Sequence, residues 1–203
     1  MVETLKEYGI ADPKVLDAFL NVKRHLFVDS MFWDRAYDDS AFPIGSNQTI
    51  SQPYTVAYMT SIIVSHYSKG KILEIGTGSG YQAAILNYLG YKVYTIERIE
   101  VLYQKARQIF QQLGLKIAIR LGDGSLGWHE MAPYDAIIVT AGSPDVPQSL
   151  LEQLNENGRL IIPVGGSEKQ RMMIYHRKGN TVYESSANTF AFVPLIGKEG
   201  WNK

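Results

Sequence analysis

The chain has 203 residues, 45% of them hydrophobic, with 20 Lys+Arg against 20 Asp+Glu and no cysteine. That composition can fill a sizeable core and excludes a disordered chain, a disulfide framework, thiolate zinc sites and a cysteine nucleophile. The balanced charge lacks the positive excess of a nucleic-acid binder, and no apolar run approaches the ~18 residues that a membrane helix needs.

The first residues, MVETLKEYGIADPKVLDAFL, have neither a basic start nor a continuous apolar run, so no signal peptide is expected and the cytoplasm is the simplest address. Asp12-Pro13 predicts a helix start, an N-cap followed by proline at the first helical position, with Val15, Leu16, Phe19 and Leu20 as its apolar residues. The stretch FVDSMFWDRAYDDSAFPIG reads as short helix and loop, with Asp38-Asp39 in a solvated acidic loop. The aromatics Phe27, Phe32, Trp33, Tyr37 and Phe42 suit either packing of the N-terminal helices or the wall of a peptide groove. GSNQTISQPYTV, Gly45 to Val56, reads as a polar loop entering a helix over Pro53–Tyr67, and Ser51 before Gln52-Pro53 suits an N-cap.

From Lys71 the pattern alternates between short apolar runs and helical spacing. KILEI, KVYTI, KIAIRL, YDAIIVT and GRLIIPV read as strands; Tyr81–Leu89, Ile99–Leu113 and Val146–Leu154 read as helices. This predicts an α/β fold with a doubly wound, mostly parallel sheet covered on both faces. Lys178-Gly179-Asn180 lies between two strand-like runs and predicts a C-terminal antiparallel hairpin. One domain is expected, with an N-terminal helical region over 1–67 and the α/β core over 68–203.

LEIGTGSGYQ follows the first strand of the core and opens a helix. Gly76, Gly78 and Gly80, with Thr77 and Ser79 between them, form a turn that lets a ligand approach the backbone at the carboxyl edge of the sheet. Position 81 is Tyr, so the dinucleotide spacing G-x-G-x-x-G is not met, and no GK[ST] follows as in a P-loop. Glu74, two residues before the first glycine, would repel a pyrophosphate and favours a ligand with an ammonium or sulfonium group, such as S-adenosylmethionine. The carboxylate of that ligand can use the free N–H groups at the helix start. Glu97 ends the next strand, about twenty residues on, where an acid accepts ribose hydroxyls; Glu97-Arg98 also suits a surface ion pair. Asp123 can accept from an adenine amino group and the Gly124 N–H can donate to the ring, although Asp-Gly is also a common turn dipeptide. The four histidines, His25, His66, His129 and His176, have no metal-ligand spacing.

Taken together, LEIGTGSGYQAAIL, VYTIER, GDGSLGW, YDAIIVTAG and FVPLIGKEGW resemble the protein-L-isoaspartate O-methyltransferases, and FPIGSNQTISQPYTVAYMT is the most family-specific piece. The resemblance covers about residues 15–201. Gly142 after TA and NENGRL before the fifth core strand depart mildly from the family pattern. The resemblance implies methyl transfer from S-adenosylmethionine, leaving S-adenosyl-L-homocysteine, to the free carboxylate of L-isoaspartyl residues in damaged proteins and peptides. It also implies that Ser51 orients the substrate carboxylate. Gln48, Thr49 and Ile50 would lie along the cofactor, and Val193, Pro194, Leu195 and Ile196 beside substrate and cofactor, with backbone edges free to pair with an extended peptide. No nucleic-acid or membrane partner is expected, and a monomer is the default. Two other readings share the cofactor motif: a methyltransferase of a small molecule or RNA, and a non-catalytic S-adenosylmethionine-binding protein, which would not need Ser51. An NAD oxidoreductase is disfavoured by the loop spacing and Glu74.

Overall fold

The computed structural model describes residues 1–202 and builds them around a seven-stranded sheet. Two short helices open the chain, α1 (Val2–Glu7) and α2 (Pro13–Asn21). As the sequence predicts, Asp12 caps α2, its carboxylate accepting from the N–H groups of Lys14 and Val15. Two 3-10 turns follow, Arg24–Phe27 and Ser30–Arg35. Then comes a feature the sequence reading took for loop. Strands β1 (Phe42–Gly45) and β2 (Gln48–Ile50) form a small antiparallel hairpin. Ser46 and Asn47 turn it with φ of 53° and 55°, the left-handed pair that suits the twist of a two-residue hairpin.

Helix α3 (Pro53–Val64) is buried nearly all round because it is sandwiched. Val56 and Ala57 meet Leu5, Val15, Phe19 and Phe27 of the N-terminal region, whereas Met59 and Ile63 meet the sheet. The start of α3 differs from expectation. Its N-cap residue is Gln52, with no side-chain cap of its own; the Tyr54 N–H donates instead to Asp39 Oδ1 at 2.7 Å. Asp39 is therefore a capping residue rather than part of a solvated loop, while Asp38 remains exposed beside Arg35.

The core strands are β3 (Lys71–Ile75), β4 (Lys92–Glu97), β5 (Ile117–Leu121), β6 (Tyr134–Val139) and β7 (Leu154–Gly165), followed by β8 (Gln170–Lys178) and β9 (Thr181–Phe190). Their order in the sheet is β5-β4-β3-β6-β7-β8-β9; the first five run parallel, and β8 and β9 are antiparallel additions. Alternation along each strand feeds two cores. Ile72, Val93, Ala136 and Ile138 face α3, α4 (Tyr81–Tyr88) and α5 (Glu100–Gln112), while Leu73, Tyr94, Ile137 and Val139 face Leu150 of α6 (Gln148–Glu152) and Trp128. Burial on both faces is why these strands read as unbroken apolar runs.

Helix α6 is shorter than the spacing suggests. Pro147 is its N-cap, and by Gln153 the carbonyl already accepts from the Tyr134 N–H as β7 begins. Strand β7 accordingly starts at Leu154, before GRLIIPV, and absorbs NENG as an irregularity with Asn157 at φ 63°.

Gly80 joins the glycine loop to α4 with φ 89°, and a Cβ there would lie 2.5 Å from Cε1 of the buried Phe110. Gly80→Ala is expected to destabilise the fold by about 2–5 kcal/mol, the sum of left-handed strain and overpacking. Urea unfolding checks this, and an unchanged midpoint would refute it.

Candidate active site

The order of strands reverses between β3 and β6, and open α/β sheets bind ligands at that point, outside the carboxyl ends of the strands. Here the chain leaves β3 through Gly76 and β6 through Thr140. Gly76, Gly78 and Gly80 all have positive φ, 91°, 53° and 89°, so this path is open to glycine and costly for other residues. The Gly76 and Thr77 N–H groups donate back to the Ile96 carbonyl, and Thr140 Oγ1 donates to the Gly76 carbonyl at 2.6 Å.

A narrow cleft opens here. Ile75, Ile96, Ile99 and Leu102 give it apolar walls, and Glu97 lies at its edge. Glu97 is buried; its two oxygens accept from the Gly78 N–H at 2.8 Å and the Ile99 N–H at 2.9 Å, so it fastens the glycine loop to the end of β4. Arg98, Gln48, Thr49, Gly124 and residues 193–196 line the same cleft.

A second lobe shares Thr49, Gly76, Gly78 and Thr140 with the first. It is lined by Ile50, Ser51, Glu74, Thr77, Ser79 and Gln82, among others. Glu74 is wholly buried. Thr77 donates to the Thr95 hydroxyl at 2.6 Å, and Thr95 donates to Glu74 Oε2 at 2.5 Å. Glu74 Oε1 and Gln82 Oε1 have no hydrogen-bond partner of normal geometry within the described residues. Burial pushes the Glu74 carboxyl up to about 8; the Thr95 hydroxyl opposes the rise and the charge of Glu97 adds to it. Two unpartnered oxygens bordering one lobe suit a hydrogen-bond donor, and a cationic donor would return Glu74 to its ionised form.

Ser51 stands between this lobe and a third, smaller pocket lined by Ala41, Gln52, Thr55, Ala191, Phe192 and Val193. Its hydroxyl has no hydrogen-bond partner among the described residues, and its carbonyl accepts from Arg24 at 2.9 Å. The cap that the sequence suggested for it belongs to Asp39.

Two expected residues lie away from the lining. Gly80 packs on Phe110. Asp123 accepts from the Ser125 N–H and hydroxyl through Oδ1 and from the Lys198 N–H through Oδ2 at 2.7 Å, which fastens the C-terminal segment to the loop after β5. The tail edge is also partly occupied: Gly142 donates to the Val193 carbonyl and accepts from the Leu195 N–H, both at 2.8 Å. An extended peptide therefore has no access to those two groups. Sequence reasoning passed over Thr140, Phe192 and Gln82. Thr140 was findable as the residue leaving the strand at the reversal point, and Gln82 as the polar side chain in an otherwise apolar helical turn. Phe192 lies in FVPLIGKEGW, one residue before the segment that the resemblance placed at the site.

Residues 1–200 match the family model of the protein-L-isoaspartate(D-aspartate) O-methyltransferases. The chain belongs to that family. A protein-L-isoaspartate O-methyltransferase of Pelodictyon phaeoclathratiforme is 58% identical over 202 residues, covering 100% of this chain and 92% of the relative. One from Chlorobium phaeobacteroides, strain BS1, is 60% identical over 203 residues, covering 100% and 92%. A solved protein-L-isoaspartate O-methyltransferase superposes with TM-score 0.87 at 28% identity, covering 98% of this chain; the chain spans 66% of that longer protein. A Plasmodium falciparum structure in complex with S-adenosyl-L-homocysteine superposes with TM-score 0.84 at 24% identity over 96% of each chain, which speaks for the shared fold.

Proposed function

We infer that this cleft transfers a methyl group from S-adenosylmethionine to the free carboxylate of an L-isoaspartyl residue in a damaged protein or peptide, the repair reaction of the family. The observation that carries the site assignment is Ser51, a hydroxyl with no partner, standing between a lobe bordered by unpartnered oxygens and an adjoining pocket.

The residues fit the cofactor. The glycine loop admits a ligand against the backbone, and Glu74 with Gln82 suits an α-ammonium group. Glu97 would hold the ribose hydroxyls, in the cleft that the apolar walls, Arg98 and Gly124 also line. Asp123 contributes by holding that turn, with lone pairs left for an adenine amino group. Gln48, Thr49, Ile50, Thr77 and Ser79 complete the cofactor wall, and the uncapped first turn of α4 can receive the carboxylate of the cofactor. Bound S-adenosylmethionine supplies a methyl carbon attached to a sulfonium leaving group.

What remains for the chain is alignment and exclusion of water. The substrate carboxylate is already ionised at neutral pH, so no general base is required. Ser51 donates to one carboxylate oxygen and leaves the other free to attack; it is not itself a nucleophile. Val193 to Ile196 close the site over substrate and cofactor. Alignment of this kind contributes roughly 7–11 kcal/mol in favourable cases.

The wider reading is a monomer, with helices 1–67 and core 68–203 acting as one domain, working in the cytoplasm on proteins and peptides rather than nucleic acid. The equal charge count supports the last point, and no helix among the described residues is long and apolar enough to cross a membrane. The test is incubation with methyl-labelled S-adenosylmethionine and two peptides that differ only in isoaspartate versus aspartate. Base-labile label on the isoaspartyl peptide alone is expected; equal labelling, or none, overturns the reading.

A further inference from the structure

Arg24 is the largest fully buried side chain of the protein, and the reaction as described leaves it without a task. No carboxylate pairs with it: the salt bridges among the described residues are three exposed pairs elsewhere. The donors that find partners go to carbonyl groups, and the other terminal nitrogen has no partner among the described residues. Nε donates to Ala36 O at 2.9 Å, and one terminal nitrogen donates to Ser40 O at 3.2 Å and Ser51 O at 2.9 Å. Its guanidinium carbon lies 5.0 Å from the ring centroid of Tyr81, the first residue of α4 after the glycine loop. Burial lowers its pKa to about 10, so it stays charged at neutral pH.

A buried cation with no ion-pair partner is costly even with the nearby Asp39 charge favouring it, and an apolar side chain would fill this space more cheaply. What an apolar side chain lacks is reach to particular carbonyls. Ser40 and Ser51 flank the β1–β2 hairpin, one just before it and one just after it, so a single guanidinium nitrogen ties both ends together. Asp39, next to Ser40, holds the Tyr54 N–H three residues beyond Ser51. The segment from Ser51 to Tyr54 is thus fixed on its carbonyl side by Arg24 and on its amide side by Asp39. Neither contact consumes the Ser51 hydroxyl.

We propose that Arg24 and Asp39 are positioning residues for methyl transfer, a brace that fixes the Ser51 backbone and leaves its hydroxyl free to meet the substrate carboxylate. This rests on the role of Ser51 given above. It predicts non-additivity, since a residue that acts through Ser51 has little left to lose once the hydroxyl is gone.

The test is a pair of double-mutant cycles on an isoaspartyl peptide, Arg24→Lys and Asp39→Ala, each made alone and with Ser51→Ala. Thermal midpoints and S-adenosyl-L-homocysteine affinity are measured on every variant. Each brace variant is expected to lower kcat by about ten- to a hundredfold in the otherwise native chain, the cost of a small misplacement, with little loss on the Ser51→Ala background. Asp39→Asn keeps an acceptor for the Tyr54 N–H and is expected to recover most of the rate lost in Asp39→Ala. Equal losses on both backgrounds overturn the brace while leaving Ser51 in place. A neutral Ser51→Ala overturns the Ser51 role and the brace with it. Should Arg24→Lys fail to fold, the Asp39 cycle decides alone, because Asp39 is only partly buried.

Discussion

Ser51→Ala is expected to lower kcat on an isoaspartyl peptide about a hundredfold and to leave the dissociation constant of S-adenosyl-L-homocysteine unchanged. The size follows from what misalignment costs when orientation is the main contribution of the protein. The selectivity follows from position, because Ser51 lines both the second lobe and the adjoining pocket and its hydroxyl bonds to neither wall. Were it the cap of α3, its loss would cost about 0.5–2 kcal/mol of stability. Asp39 performs that task, so the thermal midpoint should hardly move. Single-turnover kinetics, calorimetric titration and thermal melts separate these outcomes. A collapse of cofactor binding, or a lowered midpoint that accounts for the lost rate, would make Ser51 scaffold instead.

Much of this arrangement was legible because its signals are local. Strands buried on both faces read as apolar runs, and β3 to β6 lie within a residue or two of where KILEI, KVYTI, KIAIRL and YDAIIVT put them. The glycine loop was legible for the same reason, since a tight turn between strand and helix has few compatible sequences. The hairpin at Phe42–Ile50 was missed because its strands have four and three residues, too short to show alternation, and one contains Pro43. Its only mark was Ser46-Asn47, less distinctive than Asn-Gly. Arg24 and Asp39 were illegible for a different reason. Nothing in Lys23-Arg24-His25 marks Arg24 as buried, and Asp38-Asp39 reads as solvated loop. Only the folded chain brings the Arg24 guanidinium to carbonyls 12 to 27 positions away and Asp39 to an amide 15 positions away. Composition cannot distinguish a charge in water from a charge answering backbone groups that the fold has buried.

Glu74 carries the second large effect, and its sign is fixed by burial. The folded chain holds this carboxyl near 8 against an ordinary 4.5. Between those values the folded state keeps a proton that the unfolded state has released, so stability without cofactor falls as pH rises through that window. Glu74→Gln removes the titration and should give a ligand-free protein whose thermal midpoint changes less between about pH 5 and 8. Binding has the opposite dependence. An ammonium group placed beside Glu74 Oε1 and Gln82 Oε1 favours the ionised carboxylate, so binding below about pH 8 expels a proton and affinity rises with pH. Titration of the native protein with S-adenosyl-L-homocysteine in two buffers of different ionisation enthalpy should reveal that proton. Glu74→Gln should abolish its release and weaken binding about ten- to a hundredfold, the worth of a hydrogen bond to a charged group at about 1.5–3 kcal/mol. Proton-neutral, pH-independent binding by the native chain would mean that the orphaned oxygen of Glu74 does not face the ammonium. The same acid that weakens the empty fold would then have no compensating task in the bound one.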